Sequence, residues 1–323
     1  MSNQKKYPKI GLALGSGAAK AMCQLGILKR LMENNIEIGY VMGASAGAVI
    51  GGFFALGLNI DEIVEKSMDY VKKNNVSDLS NINFLHESIF KKDYSINFFK
   101  EIFGDLTFDD CKIPFAVTAV DLESGKEVVI NKGYLWEAIR ASTSYPGIFA
   151  PVFLDGHYLI DGGTIEDTPV SSLRKKTDCD MIIGSAIFDL KTKQFISGVI
   201  YQKFYKKNVR SNLISEQYSR IKTDLKLLSA IISRSINIIR EELFEYIVAE
   251  AKPDLLIRIY SEDVSFFDFK KTTSLITTGE KAFDERKDEL LGLINQKIKE
   301  LNRPAKNVNL KRNKISKENK LIK

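Results

Sequence analysis

Histidine is nearly missing from this chain of 323 residues: His86 and His157 are the only two. That excludes a zinc enzyme built on clustered histidines and leaves little choice for a histidine general base. Cysteine is also scarce. Cys23, Cys111 and Cys179 are odd in number and widely separated. They match neither a disulfide framework nor a metal spacing, which favours a reducing compartment. No run of 18 apolar residues occurs, which argues against a membrane-spanning helix. The early apolar run at 10–15 is too short for the core of a secretion signal and lacks a cleavage site. The expected location is therefore the cytoplasm, with peripheral membrane contact. Apolar residues make up 44% and charged residues 27%, so disorder across the whole chain is excluded. The length suits one large domain or two small ones.

The net charge of +6 is unevenly placed. Residues 1–190 carry 19 basic and 24 acidic side chains, 191–240 carry 11 and 2, 241–296 carry 7 and 13, and 297–323 carry 10 and 2. Two segments hold the basicity. In the first, Phe195, Tyr201, Phe204 and Tyr205 lie among Lys203, Lys206, Lys207 and Arg210. That mixture suits an anionic membrane surface. Nucleic acid and a plain solvated helix face are the other readings, and no recognised nucleic-acid-binding module is present. Residues 302–323 lack aromatics and apolar periodicity, and are expected to be a disordered basic tail. Deleting them is expected to weaken binding to anionic vesicles and spare turnover of a soluble ester.

Apolar periodicity predicts strands at 7–14, 38–42, 113–120, 127–130, 152–154, 158–160, 181–186 and 255–259. It predicts helices at about 18–34, from 46, from a cap at Asp61, at 134–143, at 213–249 and at 273–301. Residues 76–110 show no clear pattern and read as a lid or irregular insertion. Strands alternating with helices indicate an α/β fold with a largely parallel sheet. One domain is expected over 1–301, with its core at about 8–190 and a helical part at 200–301. Leu225, Leu228, Ile232, Ile236, Ile239 and Leu243 form a stripe on the long helix. Such a stripe is usually core; a homodimer seam or a membrane face are the alternatives.

Three local patterns bear on chemistry. Gly43-Ala44-Ser45-Ala46-Gly47 fits G-x-S-x-G between a predicted strand and a predicted helix, the setting of a strained nucleophile elbow. There the flanking residues must be small, and the helix start favours developing negative charge. Gly15-Ser16-Gly17-Ala18-Ala19-Lys20 follows the first strand and opens a helix. Its backbone N–H groups suit an oxyanion. A dinucleotide loop would need glycine at position 20 and an acidic residue after the next strand, and both are missing. A P-loop fails for want of a Gly-Lys-Ser/Thr. Asp161-Gly162-Gly163 ends another predicted strand. Alone it reads as an aspartate opening a turn; next to a serine it supplies a carboxylate base. Neither His86, in an unreadable stretch, nor His157, in a hairpin turn, lies in a recognisable active-site loop.

In this order the blocks resemble the patatin-like phospholipase family, particularly its compact bacterial members. "KIGLALGSGAAKAMCQLGILKRL" is similar to the family's glycine-rich block, "GASAGAVIGG" to its serine block, and "AIRASTSYPGIFAPVFLDGHYLIDGGTIEDTPV" to the block ending in its aspartate. "PDLLIRIYSEDVSFFDFKKTTSLITTGEKA" resembles the bacterial C-terminal block. The resemblance implies a three-layer α/β/α sandwich with a mostly parallel central sheet. It implies a Ser-Asp dyad with Ser45 as nucleophile and Asp161 as proton acceptor. Gly43, Gly47, Gly162 and Gly163 would support them. It places the oxyanion at the N–H groups of Gly17 and Ala18, with Ser16, in a loop that begins at Gly15 and is steadied by Lys20. The substrate it implies is a phospholipid or another fatty acyl ester, hydrolysed at a membrane surface with no metal or organic cofactor. Two departures stand out: the family's three-glycine run is Ser16-Gly17-Ala18 here, and its glycine after the basic residue is Ala21. Two rivals remain from other classes: a catalytically silent lipid-binding protein on this fold, and an α/β-hydrolase using His157 or His86.

Overall fold

The structure is a computed structural model that describes residues 6–73, 99–189, 213–261, 264 and 269–303. Its strands are β1 (Ile10–Leu14), β2 (Tyr40–Ala44), β3 (Phe115–Asp121), β4 (Glu127–Ile130), β5 (Val152–Leu154), β6 (His157–Asp161), β7 (Met181–Asp189) and β8 (Leu255–Ser261). The helices labelled here are α1 (Cys23–Glu33), α2 (Ala46–Ala55), α3 (Ile60–Lys73), α4 (Leu135–Ser142), α5 (Val170–Lys176), α6 (Leu213–Ala251), α7 (Thr272–Asp284) and α8 (Lys287–Leu301).

The central strands are apolar at nearly every position because both sheet faces are covered. Ile10, Leu12 and Leu14 share one face with Val41, Phe115, Val117 and Ile183. Helices α1, α2, α4 and α7 pack on that side. Ala13, Met42, Ala116 and Ile182 point the other way, onto α5 and the C-terminal end of α6. The result is the α/β fold that the strand–helix alternation implied, with the helical layer on each face of the sheet that the family resemblance implied.

Strands β3, β2, β1, β7 and β8 run parallel in that order. Strand β3 has three partners. It pairs with β2 over Phe115–Thr118, with β4 over Val117–Val120 and with β6 over Ala119–Asp121. A strand has only two edges, and β4 overlaps both of the other partners in register. So β2 and β6 share one edge of β3, end to end. Ala44, the last residue of β2, faces Thr118, and Asp161, the last of antiparallel β6, faces Ala119. This register delivers Asp161 to the residue that follows Ala44.

Several local expectations are corrected. Residues 18–22 form a 3-10 turn, and the α-helix begins only at Cys23. The cap of α3 is Asn59, not Asp61: its side chain accepts from the Glu62 N–H, while Glu62 accepts from the Asn59 N–H. His157 is the first residue of β6 rather than part of the turn, which is Asp155-Gly156. The predicted closing helix is two, α7 and α8, broken at Glu285-Arg286. The stripe on α6 is not core along its described length: Leu228, Ile239 and Leu243 are exposed, while Ile232 and Ile236 are half-buried. The Leu225 side chain lies outside the described residues, as do His86, most of the proposed lid, the basic segment 191–212 and residues 304–323. Asn302, at the start of the expected disordered tail, is held: its side chain exchanges two hydrogen bonds with the Lys6 backbone.

Candidate active site

Strand β2 ends at Ala44, and α2 begins at Ala46. Ser45 between them has φ 54° and ψ −124°, a costly backbone state for a residue with a side chain. Close contacts hold it there. A Cβ on Gly43 would stand 2.5 Å from the Gly47 carbonyl oxygen, and one on Gly47 would stand 2.3 Å from that of Leu14. Only glycine lets α2 pack this tightly on β1 and β2. The Ser45 N–H donates to Ser142 Oγ at 3.0 Å, so the last residue of α4 also fixes the turn.

Ser45 Oγ donates to Asp161 Oδ2 at 2.5 Å. The other carboxylate oxygen, Oδ1, accepts from the Gly163 N–H at 2.8 Å. Gly162 packs on Thr118 so closely that a Cβ would meet the Thr118 carbonyl oxygen at 2.3 Å. Asp161 is 1% exposed. Burial pushes its pKa up to about 6, and the Ser45 hydroxyl, the Arg240 charge and the Gly163 N–H limit the rise. The carboxyl is thus ionised at neutral pH and still basic enough to take a proton. His157 starts the strand that Asp161 ends, so they are about 13 Å apart at ordinary strand rise. Its ring is half-exposed and faces Asp121 at 3.5 Å.

The loop after β1 lies beside this pair. The Gly15 N–H donates to Ser185 O, and the Ser16 N–H donates to Asp167 O, both at 3.0 Å. The Ser16 N–H is therefore already engaged with protein, unlike those of the two residues that follow. Gly17 has φ 154° and Ala18 φ 50°. Among the described residues, the N–H groups of Gly17 and Ala18 carry no hydrogen bond to protein. The Lys20 N–H closes the turn onto Gly17 O at 3.0 Å. Ser45, Gly17, Ala18 and Lys20 line one cavity of about 440 Å³. Ile187, Phe188, Phe244 and Tyr260 form much of its apolar wall, with Arg240 and Asp167 at its polar side. Among the described residues, no group of three His, Cys, Asp or Glu side chains is placed to hold a metal ion.

The structure thus brings Ser45, Asp161, Gly17, Ala18 and Lys20 together, with Gly43, Gly47, Gly162 and Gly163 packed behind them. Sequence reasoning missed Ser142, Asp167 and Arg240. The signal for Ser142 and Asp167 was their place inside the block that carries Asp161, Ser142 near the end of a predicted helix. Arg240 had none, because it reaches the site from a helix about 80 residues beyond Asp161.

A family model described as patatin-like phospholipase matches residues 12–174, half of the chain. An uncharacterized NTE family protein of Mycobacterium bovis is 32% identical over 51% of this chain and 46% of its own length. The neuropathy target esterase sws of Drosophila grimshawi is 31% identical over 50% of this chain and 11% of its own. The chain thus spans under half the length of these relatives. Among solved structures, VipD from Legionella pneumophila aligns over 90% of this chain and 67% of its own, with 12% identity and a TM-score of 0.45.

Proposed function

The chain belongs to the patatin-like phospholipase family, and on that premise we propose that it is a serine lipid acyl hydrolase, cleaving fatty acyl esters of phospholipids or simpler lipids through an acyl-enzyme on Ser45. The observation that carries this reading is the 2.5 Å hydrogen bond from Ser45 Oγ to a buried, ionisable carboxylate. Asp161 takes the hydroxyl proton as Oγ attacks the ester carbonyl carbon. The carbonyl oxygen gains the negative charge, and the N–H groups of Gly17 and Ala18 and the start of α2 stabilise it. The C–O bond to the alcohol then breaks, and Asp161 returns its proton to the departing oxygen. A water, deprotonated by the same carboxylate, releases the fatty acid and restores Ser45. Histidine has no part in this scheme, which suits the separation of His157 from Asp161 along β6.

The apolar wall of the cavity fits an acyl chain better than a charged substrate. Action at an anionic membrane surface is supported by α6. Its inward face presents Asn237, Arg240 and Phe244 to the cavity. At 100° per residue the opposite face carries Leu228, Ile231, Ile238, Ile239, Leu243 and Tyr246, all exposed. Among the described residues, no helix is long and apolar enough to cross a membrane. The same stripe on a second copy would be a dimer seam; the basic segment just before α6 favours lipid.

The deciding experiment is intact-mass analysis after exposure to a lipid-like fluorophosphonate. One adduct on the native protein, absent from Ser45→Ala and kept when His157 is replaced, supports the reading. A folded native protein that takes no adduct in the presence of anionic vesicles refutes it in favour of a silent lipid-binding protein.

A further inference from the structure

We propose that Arg240 and Asp167 are positioning residues that hold the oxyanion loop in register with Ser45, so that helix α6 completes a site otherwise built on the ends of the sheet strands. The proposal rests on the hydrolase reading above and concerns the same site.

Ser16 is the point of attachment. Its N–H donates to the Asp167 carbonyl oxygen at 3.0 Å. Its Oγ donates to the Asp167 carboxylate and accepts from the Arg240 guanidinium. Arg240 in turn pairs with the same carboxylate, which closes a three-membered ring of contacts. The Arg240 and Asp167 side chains are only 15% and 12% exposed, so water replaces little of this network. Arg240 is braced from behind: its second terminal nitrogen reaches Asn237 Oδ1 at 3.3 Å, and that oxygen accepts from Tyr145 Oη at 3.2 Å.

The loop needs such an anchor. Directly after Ser16 come two residues with positive φ, and the second, Ala18, has a side chain to strain. A turn of this kind persists only where its surroundings impose it. Asp167 lies six residues past Asp161. One short segment therefore supplies both the base and the tie on the oxyanion donors. Neither Arg240 nor Asp167 hydrogen-bonds to Ser45 or Asp161; they act through Ser16.

The tie has an electrostatic signature that packing alone lacks. The charged side chains lining the cavity are Lys20, Asp167, Arg240 and Glu241. Arg240 holds the Asp161 pKa down. Loss of its charge moves the acid limb of the rate profile to higher pH.

The test is hydrolysis of a soluble short-chain nitrophenyl ester from pH 5 to 9 by native protein, Arg240→Gln, Arg240→Lys and Asp167→Asn, with a melting curve for each. Expected are losses in kcat of about tenfold to hundredfold with KM changed less than about threefold, the pattern of displaced oxyanion donors. The acid limb should move up in Arg240→Gln and stay in Arg240→Lys. Native kcat in Arg240→Lys and Asp167→Asn, or kcat losses with an acid limb that never moves, overturn the proposal. Should native protein neither turn over ester nor accept a fluorophosphonate, the hydrolase reading has failed on its own account. Hydrogen exchange at residues 15–20 then decides the tie. Faster exchange in Arg240→Gln and Asp167→Asn upholds it, and unchanged exchange overturns it.

Discussion

At the scale of single residues, the site is strained and partly unfavourable to the fold. Asp161 is buried with its pKa raised from 3.8 to about 6. An acid whose folded pKa lies above its unfolded value contributes stability that is full below the unfolded pKa and lost as pH rises through the folded one. The ionised carboxylate therefore costs the native state about 3 kcal/mol above pH 6. Asp161→Asn is expected to abolish turnover and to raise the melting temperature at pH 7–8, with the gain vanishing near pH 4. A variant that melts lower than the native protein at neutral pH would contradict this account. Activity should have the opposite pH dependence, with kcat/KM rising through about pH 6 as the base ionises. Ala18 carries the second strain. Ala18→Gly should keep or raise kcat with stability changed by less than about 1 kcal/mol, because glycine accepts φ 50° freely. Ala18→Val, β-branched at positive φ, should cost about 1–2 kcal/mol in a denaturant melt and at least tenfold in kcat. Residues at this scale were legible where the constraint is local. A serine between glycines, after a strand and before a helix, leaves its mark within five positions. Arg240 leaves none, because its partners Ser16 and Asp167 are remote in sequence and its neighbours on α6 look like an ordinary amphipathic helix.

At the scale of elements, strands were easier to read than helix ends. Strands β1, β2 and β7 are buried on both faces, so their apolar runs stand out without any need for alternation. The starts of β1 and β2 were placed three and two residues early, since Tyr7 and Ile38 are apolar without joining the ladder, whereas β7 begins at Met181 as predicted. The break between α7 and α8 was invisible because Glu285-Arg286 contains neither glycine nor proline. The α1–α7 crossing was equally hidden. A Cβ on Gly279 would stand 1.7 Å from the Cys23 carbonyl oxygen, and one on Gly26 would stand 2.1 Å from that of Ile276. These two glycines let the helix backbones touch. In an exposed helix, glycine to alanine would stabilise by about 1 kcal/mol. Here Gly279→Ala must push α7 off α1 and is expected to destabilise by about 2–3 kcal/mol. Chemical denaturation decides between the signs, and a stabilised variant would mean that the helices do not cross as described.

At the scale of the whole molecule, α6 is the element on which the proposed location and the proposed chemistry meet. Its inward face supplies Arg240 and Phe244 to the cavity, and among the described residues its outward face exposes six large apolar side chains. The sequence showed the basic segment and a stripe that shares only Leu228, Ile239 and Leu243 with this face, and periodicity cannot say whether an apolar face meets the chain's own core or something else. Exposure resolves that for the described part: Leu228 is 54% and Ile239 56% exposed, values a core residue does not show. The proposed lipid surface would account for both this face and the charge, since apolar side chains would enter the acyl boundary while lysines and arginines met anionic headgroups. Each side chain removed from water contributes at most about 1.5–3 kcal/mol, and partial insertion gives less. Replacing Leu228 and Ile239 together with glutamate removes two such contributions and adds two repelling charges. Binding to vesicles rich in anionic lipid should then fall at least about tenfold in a sedimentation assay. Turnover of a soluble short-chain ester should stay near native, because neither side chain faces the cavity. If the stripe were instead a seam between two copies, the same variant would bind vesicles as before and shift to a smaller species in sedimentation velocity. If it packed on the chain's own undescribed segments, the melting temperature would drop and soluble-ester activity would fall with it. The vesicle reading stands only if binding is lost while both melting and soluble turnover hold.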